Sequence, residues 1–152
     1  MGKQSMYDHS IRVPFIIAGP TIPAGRQIAT DIYLQDAMAT ALDIAGIERP
    51  DYLYFHSVLP LLEGRQGYYP AIYGMYTDRQ RMIRKDDYKL IVLPTVRKRE
   101  LYDLKSDPFE TTNLAGTQEH RQLEYDLFTD LQRLQKSMGD TLDISASRPN
   151  KP

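Results

Sequence analysis

The stretch AIYGMYTDRQRMIRKDDYKLIVL, residues 71–93, decides the fold class because it contains three strand-like runs in close succession. The runs are residues 71–76, 81–84 and 88–93, and short polar turns at 77–78 and 85–87 separate them. Turns of this length join antiparallel neighbours. The pattern therefore predicts an antiparallel meander, to which residues 100–104 add a fourth strand.

A long amphipathic helix is predicted after the sheet. Residues 118–138 carry an apolar stripe at helical spacing, formed by Leu123, Leu127, Phe128, Leu131, Leu134 and Met138. A stripe of this kind packs on a sheet or another helix. The tail, residues 139–152, shows no core-forming pattern and is predicted to be extended or partly disordered.

The part of the chain before the sheet predicts one strand and one helix. Residues 13–18 are continuously apolar, which is typical of a buried strand of a parallel sheet. A helix is predicted at about 32–44, with Thr30 or Asp31 as N-cap and Gly46 as the terminating glycine. The fold class is thus α+β: one strand and one helix, then a small antiparallel four-stranded sheet packed by a long C-terminal helix. The predicted divisions are 1–66, 67–138 and the tail 139–152.

Composition excludes several classes of function. The chain has 152 residues, 41% of them hydrophobic, with a net charge of −1 and no cysteine. Such a charge gives no overall attraction to nucleic acid or to an anionic membrane, and no apolar run approaches the roughly 20 residues that span a bilayer. We therefore expect no nucleic-acid partner and no membrane partner.

Several strings, in order, resemble one protein family. They are GKQSMYDHSIRVP (2–14), DAMATALDIAGI (36–47), HSVLPLLEG (56–64), RMIRKDDYKLI (81–91) and ELYDLKSDPFETTNLA (100–115). Their order and spacing resemble the end of the catalytic domain and the C-terminal subdomain of the sulfatases, in the alkaline phosphatase superfamily. One departure is Ala39, where the family commonly has proline. That change only removes a helix distortion.

The resemblance implies that the catalytic centre lies outside this chain. Sulfatases use a formylglycine made from a Cys/Ser-x-Pro-x-Arg motif and a divalent metal, usually calcium, held by Asp and Asn. The chain has no cysteine, and none of its serines is followed by x-Pro-x-Arg. We therefore expect no catalytic residue, no metal ligand and no cofactor here, with calcium and formylglycine in the intact enzyme.

Two residues are predicted to bind substrate. The resemblance implies that Lys3 is a ligand of the substrate sulfate, and an ammonium suits an oxyanion as a compact charge. Arg81 is the candidate within the sheet. It belongs to a basic run with Arg79, Arg84, Lys85 and Lys89. A solvated sheet face is the favoured interpretation of this run, ahead of a wall of a sulfated-substrate site and of a nucleic-acid surface.

The remaining polar candidates favour structural roles. His9 is predicted to be a surface or hydrogen-bonding residue, and Asp8 with Arg12 to form an ion pair near the strand entry. His56 and His120 lack a second ligand at metal spacing. His120 is expected to face solvent.

The sequence thus favours a fragment of a sulfuric ester hydrolase, with a sulfated small molecule or glycan as partner of the intact enzyme. One alternative is a non-catalytic interaction module that forms a homo-oligomer through exposed apolar surface of residues 11–47. Another is a fragment of a phosphate or phosphonate ester hydrolase. Localisation is not readable from the chain, although intact family members are often periplasmic, secreted or lysosomal.

Overall fold

The computed structural model describes residues 4–151, which form two compact units. The sheet unit consists of residues 4–12 and 71–151, and the helix unit of residues 13–70. Residues 4–12 therefore pack with the sheet. The divisions inferred from the sequence, near residues 66 and 138, stay predictions.

The predicted antiparallel meander is confirmed. The strands follow one another in the order β1-β2-β3-β4, each antiparallel to the next, with bounds β1 Ile72–Tyr76, β2 Gln80–Lys85, β3 Tyr88–Leu93 and β4 Lys98–Asp103. Strand β4 begins at Lys98 rather than at residue 100, after a short 3-10 helix, Pro94–Val96. Neighbouring strands are joined by tight connections, as the polar turns indicated.

The long C-terminal helix is also confirmed and packs on one face of the sheet. This helix, α4, spans Arg121–Ser137, which begins three residues later than predicted. Its Phe128 and Leu131 contact a fully buried cluster on the strands, formed by Ile83, Leu90, Val92 and Leu101. Alternate residues of the strands supply this cluster because side chains along a strand point to opposite faces.

The opposite face of the sheet is covered by the first described residues. Met6 is buried there against Met82, Ile91 and Tyr102, and the single helical turn α1, Asp8–Ile11, follows directly. Gly74 on β1 leaves the space that this packing needs. A Cβ at Gly74 would lie 2.7 Å from Met82 Cε and 3.0 Å from Met6 Sδ. Both faces of the sheet are therefore buried within this unit.

The tail contributes to the core of the sheet unit, although its sequence has no core-forming pattern. Gly139, at φ +71°, ends α4, and Asp140 donates its backbone N–H to the Gln135 carbonyl, which turns the chain back. Ile144 then enters the core at 2% exposure, just before the 3-10 helix Ser145–Ser147. A single apolar anchor has no period, so the sequence pattern could not reveal it.

In the helix unit, helix α2 spans Asp36–Ile44 and a second, short helix α3 spans Leu59–Leu62. The start of α2 differs from the predicted residue 32 because the Asp36 carboxylate accepts the Tyr33 backbone N–H and holds the preceding residues in a turn. Its end is as predicted. Gly46 has φ +67° and donates to Asp43, while Ile47 donates to Leu42, which is the Schellman arrangement.

The strand predicted at residues 13–18 is not formed in this chain. A strand needs a hydrogen-bonded neighbour, and the sheet order contains only β1 to β4 among the described residues. Ile16 is 90% exposed as a result. Apolar side chains of α2 are exposed as well, at Met38 and Ile44. Within residues 4–151, no helix is both long and apolar enough to cross a membrane.

Candidate functional site

A buried group of charges joins the start of the chain to the sheet. We call Asp8, Lys89 and Glu110 the acid–lysine cluster. Lys89 Nζ donates to Asp8 Oδ1 and, at 2.7 Å, to Glu110 Oε1. The Lys89 side chain is 0% exposed, Glu110 2% and Asp8 13%. Arg84 Nη1 lies 3.5 Å from the second Asp8 oxygen. The cluster thus neutralises a fully buried cation with two carboxylates.

The loop after β4 is built to present Glu110. Asp107 accepts the backbone N–H groups of Thr111 and Thr112, each at 2.8 Å, which closes the turn. Asn113 Oδ1 accepts the Leu101 N–H at 2.9 Å and ties the loop to β4. Glu110 itself has φ +56°, a left-handed backbone that a residue with a Cβ rarely adopts. Its side-chain contacts hold it in this conformation.

Glu110 binds the backbone of the N-terminal segment as well as the ammonium of Lys89. Its Oε2 accepts the Asp8 backbone N–H at 2.6 Å, while Oε1 accepts from Lys89. Next to Asp8, the Tyr7 hydroxyl donates to Glu100 Oε2 at 2.5 Å, and Met6 donates its N–H to Gln80 Oε1 at 2.8 Å. Burial and the hydrogen bond to Glu100 raise the pKa of Tyr7 far above its usual range. Three consecutive residues are therefore fixed to the sheet.

A second buried ion pair lies on the helix face of the sheet. Arg81, 4% exposed, binds the Asp140 carboxylate through Nε and through Nη2 at 3.2 Å. Arg81 Nη1 donates to the carbonyls of Thr77 and Gln80, and the Tyr73 hydroxyl donates to Asp140. Desolvation raises the pKa of Asp140, but the bonds from Arg81 and Tyr73 outweigh it and leave this pKa far below its usual range.

Asp140→Asn is expected to lower the free energy of unfolding at neutral pH, and its difference from the unchanged protein is expected to shrink as the pH falls below about 4. The lowered pKa means that the carboxylate stabilises the fold above its unfolded-state pKa, and that this contribution is lost as protons bind in acid. Urea unfolding at pH 7 and at about pH 3 measures the difference. Asp126→Asn, on the exposed face of α4, is the matched control. An equal difference at both pH values would contradict the expectation.

In the helix unit, Asp36 and Thr40 hold the segment that follows α2. Asp36 Oδ1 accepts the His56 N–H at 3.0 Å and the Tyr69 hydroxyl at 2.5 Å. Thr40 Oγ1 accepts the Val58 N–H at 3.0 Å. Burial and the hydrogen bond to Asp36 raise the pKa of Tyr69 well above its usual range. Asp36 and Thr40 therefore have structural roles in this unit.

A shallow pocket of about 260 Å³ lies in the same unit. Asp43, Arg49, His56 and Tyr68 are among the residues that line it. The His56 ring stacks on Tyr68 with centroids 4.2 Å apart. Desolvation and the nearby Arg49 lower the pKa of His56, against the opposing effect of Asp36. The arrangement favours a neutral imidazole that packs on an aromatic ring.

The comparisons with known proteins agree with the family resemblance that the sequence motifs indicated. A family model described as N-sulphoglucosamine sulphohydrolase, C-terminal, matches residues 1–137. The chain belongs to the sulfatases. It carries their C-terminal domain, within the alkaline phosphatase superfamily.

Individual sulfatases show how much of such an enzyme the chain represents. Arylsulfatase K of Xenopus laevis is 34% identical over 131 residues, which cover 75% of this chain and 24% of that protein. An N-acetylglucosamine-6-O-sulfatase of Bacteroides thetaiotaomicron is 33% identical over 153 residues, covering 91% of this chain and 27% of that protein. The chain thus spans about a quarter of the length of these relatives.

A solved structure shows the same relation in three dimensions. It contains a protein in complex with its substrate, D-glucosamine-2-N,6-O-disulfate. The match has a TM-score of 0.64 and 31% sequence identity, and it covers 70% of this sulfatase domain and 24% of that chain.

The two predicted substrate-binding residues have different outcomes. Lys3 lies outside the described residues, so its role stays a prediction. Arg81 lies inside them, and its contacts with Asp140 give it a structural role in the sulfatase domain. The substrate role of Arg81 stays a prediction that none of these contacts supports.

The cofactor chemistry of sulfatases does not fit the described residues. Residues 4–151 contain no group of three or more His, Cys, Asp or Glu side chains arranged to hold a metal ion. The sequence has no cysteine for a formylglycine precursor, and its serines lack the accompanying motif. Calcium and formylglycine are the cofactors that the family implies for an intact sulfatase, and their location outside this chain stays a prediction.

The favoured interpretation of the basic run as a solvated face is wrong for two of its members. Arg81 and Lys89 are buried, on opposite faces of the sheet, because partners far along the chain cover them. Lys85 is 40% exposed and pairs with Asp130, as a surface residue would. The alternation of side chains along β2 and β3 shows which residues share a face of the sheet. It does not show that distant segments of the chain cover both faces.

Of the other polar predictions, the surface position of His9 is confirmed, whereas His120 does not face solvent fully. His9 is exposed and stacks on Tyr7, and half-buried His120 contacts Thr117 Oγ1 at 3.0 Å. Arg12 lies 4.0 Å from Asp8, but the main partner of this carboxylate is Lys89.

Sequence reasoning missed the acid–lysine cluster, although a signal was present. Lys89 interrupts an otherwise apolar strand, and its two acidic partners both stand in strings that carry the family resemblance.

Proposed function

We propose that this chain is the C-terminal part of a sulfuric ester hydrolase that acts on sulfated carbohydrate and to which it contributes Lys3 as a ligand of the substrate sulfate. The observation that supports this most directly is the family match over residues 1–137, which includes Lys3. The substrate class is supported by the relative named as an N-acetylglucosamine-6-O-sulfatase and by the structure bound to a disulfated glucosamine.

The chemistry of an ammonium suits this task. A lysine presents a compact charge with three donors, which can bind sulfate oxygens and stabilise the negative charge that develops there during hydrolysis. The substrate-pocket wall predicted for this domain adds to binding. Arg81 is not part of the proposal because its guanidinium is already bound to Asp140. The isolated chain is expected to be inactive, since the described residues do not fit a calcium or formylglycine centre.

Lys3→Ala, made in the longer sulfatase that the proposal assumes, is expected to reduce kcat/KM for a sulfated glucosamine by about ten- to a hundredfold. This is the effect of losing one charged hydrogen bond of about 1.5–3 kcal/mol. Steady-state kinetics measures it. Lys105→Ala, at an exposed lysine in the turn after β4, is the matched control. A kcat/KM within twofold of the unchanged enzyme would refute the role of Lys3.

A second candidate is an interaction surface in residues 11–47. Large apolar side chains are exposed along this segment: Val13, Ile16, Ile28, Leu34, Met38, Ile44 and Ile47. Apolar surface of this extent tends to be covered by another chain or another copy. The same surface would contact the remainder of the enzyme in a longer sulfatase. Both interpretations follow from one observation, which is that large apolar side chains of residues 11–47 are exposed.

The isolated chain is expected to associate with itself through this surface, so light scattering after size exclusion should give a mass of at least a dimer. Ile16→Ser combined with Met38→Ser is expected to shift the mass toward the monomer. Phe109→Ser is the control because Phe109 is 85% exposed but lies in the sheet unit. A clean monomer before any substitution would exclude self-association.

A further inference from the structure

The segment that leads from Lys3 is held to the sheet at three successive residues. Met6 is 7% exposed and packs beside Gly74, Tyr7 is bonded to Glu100, and Asp8 is bonded to Glu110 and Lys89. Only two residues, Gln4 and Ser5, separate Met6 from Lys3 along the chain.

The charges of this anchor are costly if stability alone is considered. Burying an ion pair carries a desolvation penalty that often cancels its attraction, and well-packed apolar residues commonly replace such pairs without loss. Charged and hydrogen-bonded contacts do, however, require one geometry. Here Asp8 bonds Glu110 through its backbone N–H and Lys89 through its carboxylate, so a shift of the segment by one residue would break both contacts.

Neighbouring contacts on this face of the sheet also hold the segment in one geometry. Glu110 is kept at φ +56°, and Glu100 is shared between the Tyr7 hydroxyl and Lys98 Nζ at 2.7 Å. A cluster that only filled space would not need a strained backbone residue or a second charged acceptor beside it. The arrangement is that of a fixed support for a functional segment.

We infer that Asp8, Lys89 and Glu110 are positioning residues that place Lys3 for contact with the substrate sulfate. This inference deepens the proposed function and rests on it. The three residues act through Lys3 and do not themselves touch the substrate. Misplacing a binding group by about 1 Å can cost on the order of a hundredfold in rate, so a support of this kind affects catalysis without taking part in it.

The first experiment is a double-mutant cycle in the longer sulfatase, with kcat/KM for a sulfated glucosamine as readout. Asp8→Asn keeps the side-chain shape but removes the charge that pairs with Lys89. We expect it to lower kcat/KM about tenfold in the presence of Lys3 and to add nothing to Lys3→Ala, because both changes act on one contact. Asp130→Asn, which removes the surface pair with Lys85, is the control and should not couple to Lys3.

The other outcomes of the cycle separate the two proposals. If the effects of Asp8→Asn and Lys3→Ala multiply, the positioning role is overturned while the role of Lys3 stands. If Lys3→Ala alone is silent, the proposed function fails and the positioning role fails with it.

A second measurement tests the support in the chain itself, without activity. Hydrogen exchange at the amides of Met6 and Asp8 reports the segment, because these N–H groups donate to Gln80 and Glu110. Asp8→Asn or Glu110→Gln is expected to speed exchange there at least tenfold more than at the core amide of Leu90. Equal acceleration at Leu90 would show general unfolding, and no acceleration would show that the segment is held without the cluster; either overturns the inference.

Discussion

Lys89→Met is expected to lower the free energy of unfolding of the sheet unit by about 3–5 kcal/mol. Methionine keeps the apolar stem of the lysine but removes its charge, so Glu110 loses its cation in a buried position and Asp8 keeps only its longer contacts with Arg84 and Arg12. The loss is large because each carboxylate was taken out of water on folding and loses the partner that compensated it. Hydrogen exchange of the β3 amides across a urea series measures the change in this unit.

Lys85→Met is the matched control for this substitution. Lys85 also pairs with a carboxylate, Asp130 at 2.7 Å, but its side chain is 40% exposed. Water screens such a pair, so its removal is expected to cost about 1 kcal/mol or less. Equal losses for Lys85→Met and Lys89→Met would mean that burial does not set the importance of the acid–lysine cluster.

Phe128→Ala is expected to lower the free energy of unfolding of the same unit by about 3–5 kcal/mol. Phe128 is 0% exposed and lies on α4, where it joins the helix to the core residues of the sheet. Removing its ring loses apolar burial and leaves a cavity between two rigid elements that cannot close completely. The change is measured by the same exchange experiment.

Phe109→Ala provides the comparison, since Phe109 is the same residue type at 85% exposure. It is expected to change the free energy of unfolding by about 0.5 kcal/mol or less. A small loss at Phe128 would indicate that α4 contributes little to the stability of the sheet unit, against the packing described here.

Much of the sheet unit could be predicted from local pattern. The three runs of residues 71–93 became β1 to β3 because their turns leave no room for any other pairing, and the stripe of α4 named the residues that meet the sheet. The family was also readable, since its strings stand in order along the chain. These features depend on residues that are close together in the sequence, and for this reason they could be predicted from the sequence.

The candidate site could be predicted only in part. Lys89 and Arg81 looked like members of a basic surface run, yet their partners Asp8 and Asp140 are 81 and 59 residues away. Residues 13–18 had the composition of a strand, but composition cannot provide the neighbour that a strand requires. Ile144 in the tail had no apolar companions along the sequence to mark it as core.

The sequence by itself determined the order of the strands, the presence of the long helix and membership of the sulfatases, because turn lengths, periodicity and motifs are local properties. Only the tertiary structure decided that residues 4–12 close the second face of the sheet and that Asp8, Lys89 and Glu110 meet there. The physical reason is burial: whether a charge is solvated or paired depends on which distant segments exclude water from it, and no stretch of the chain records that alone.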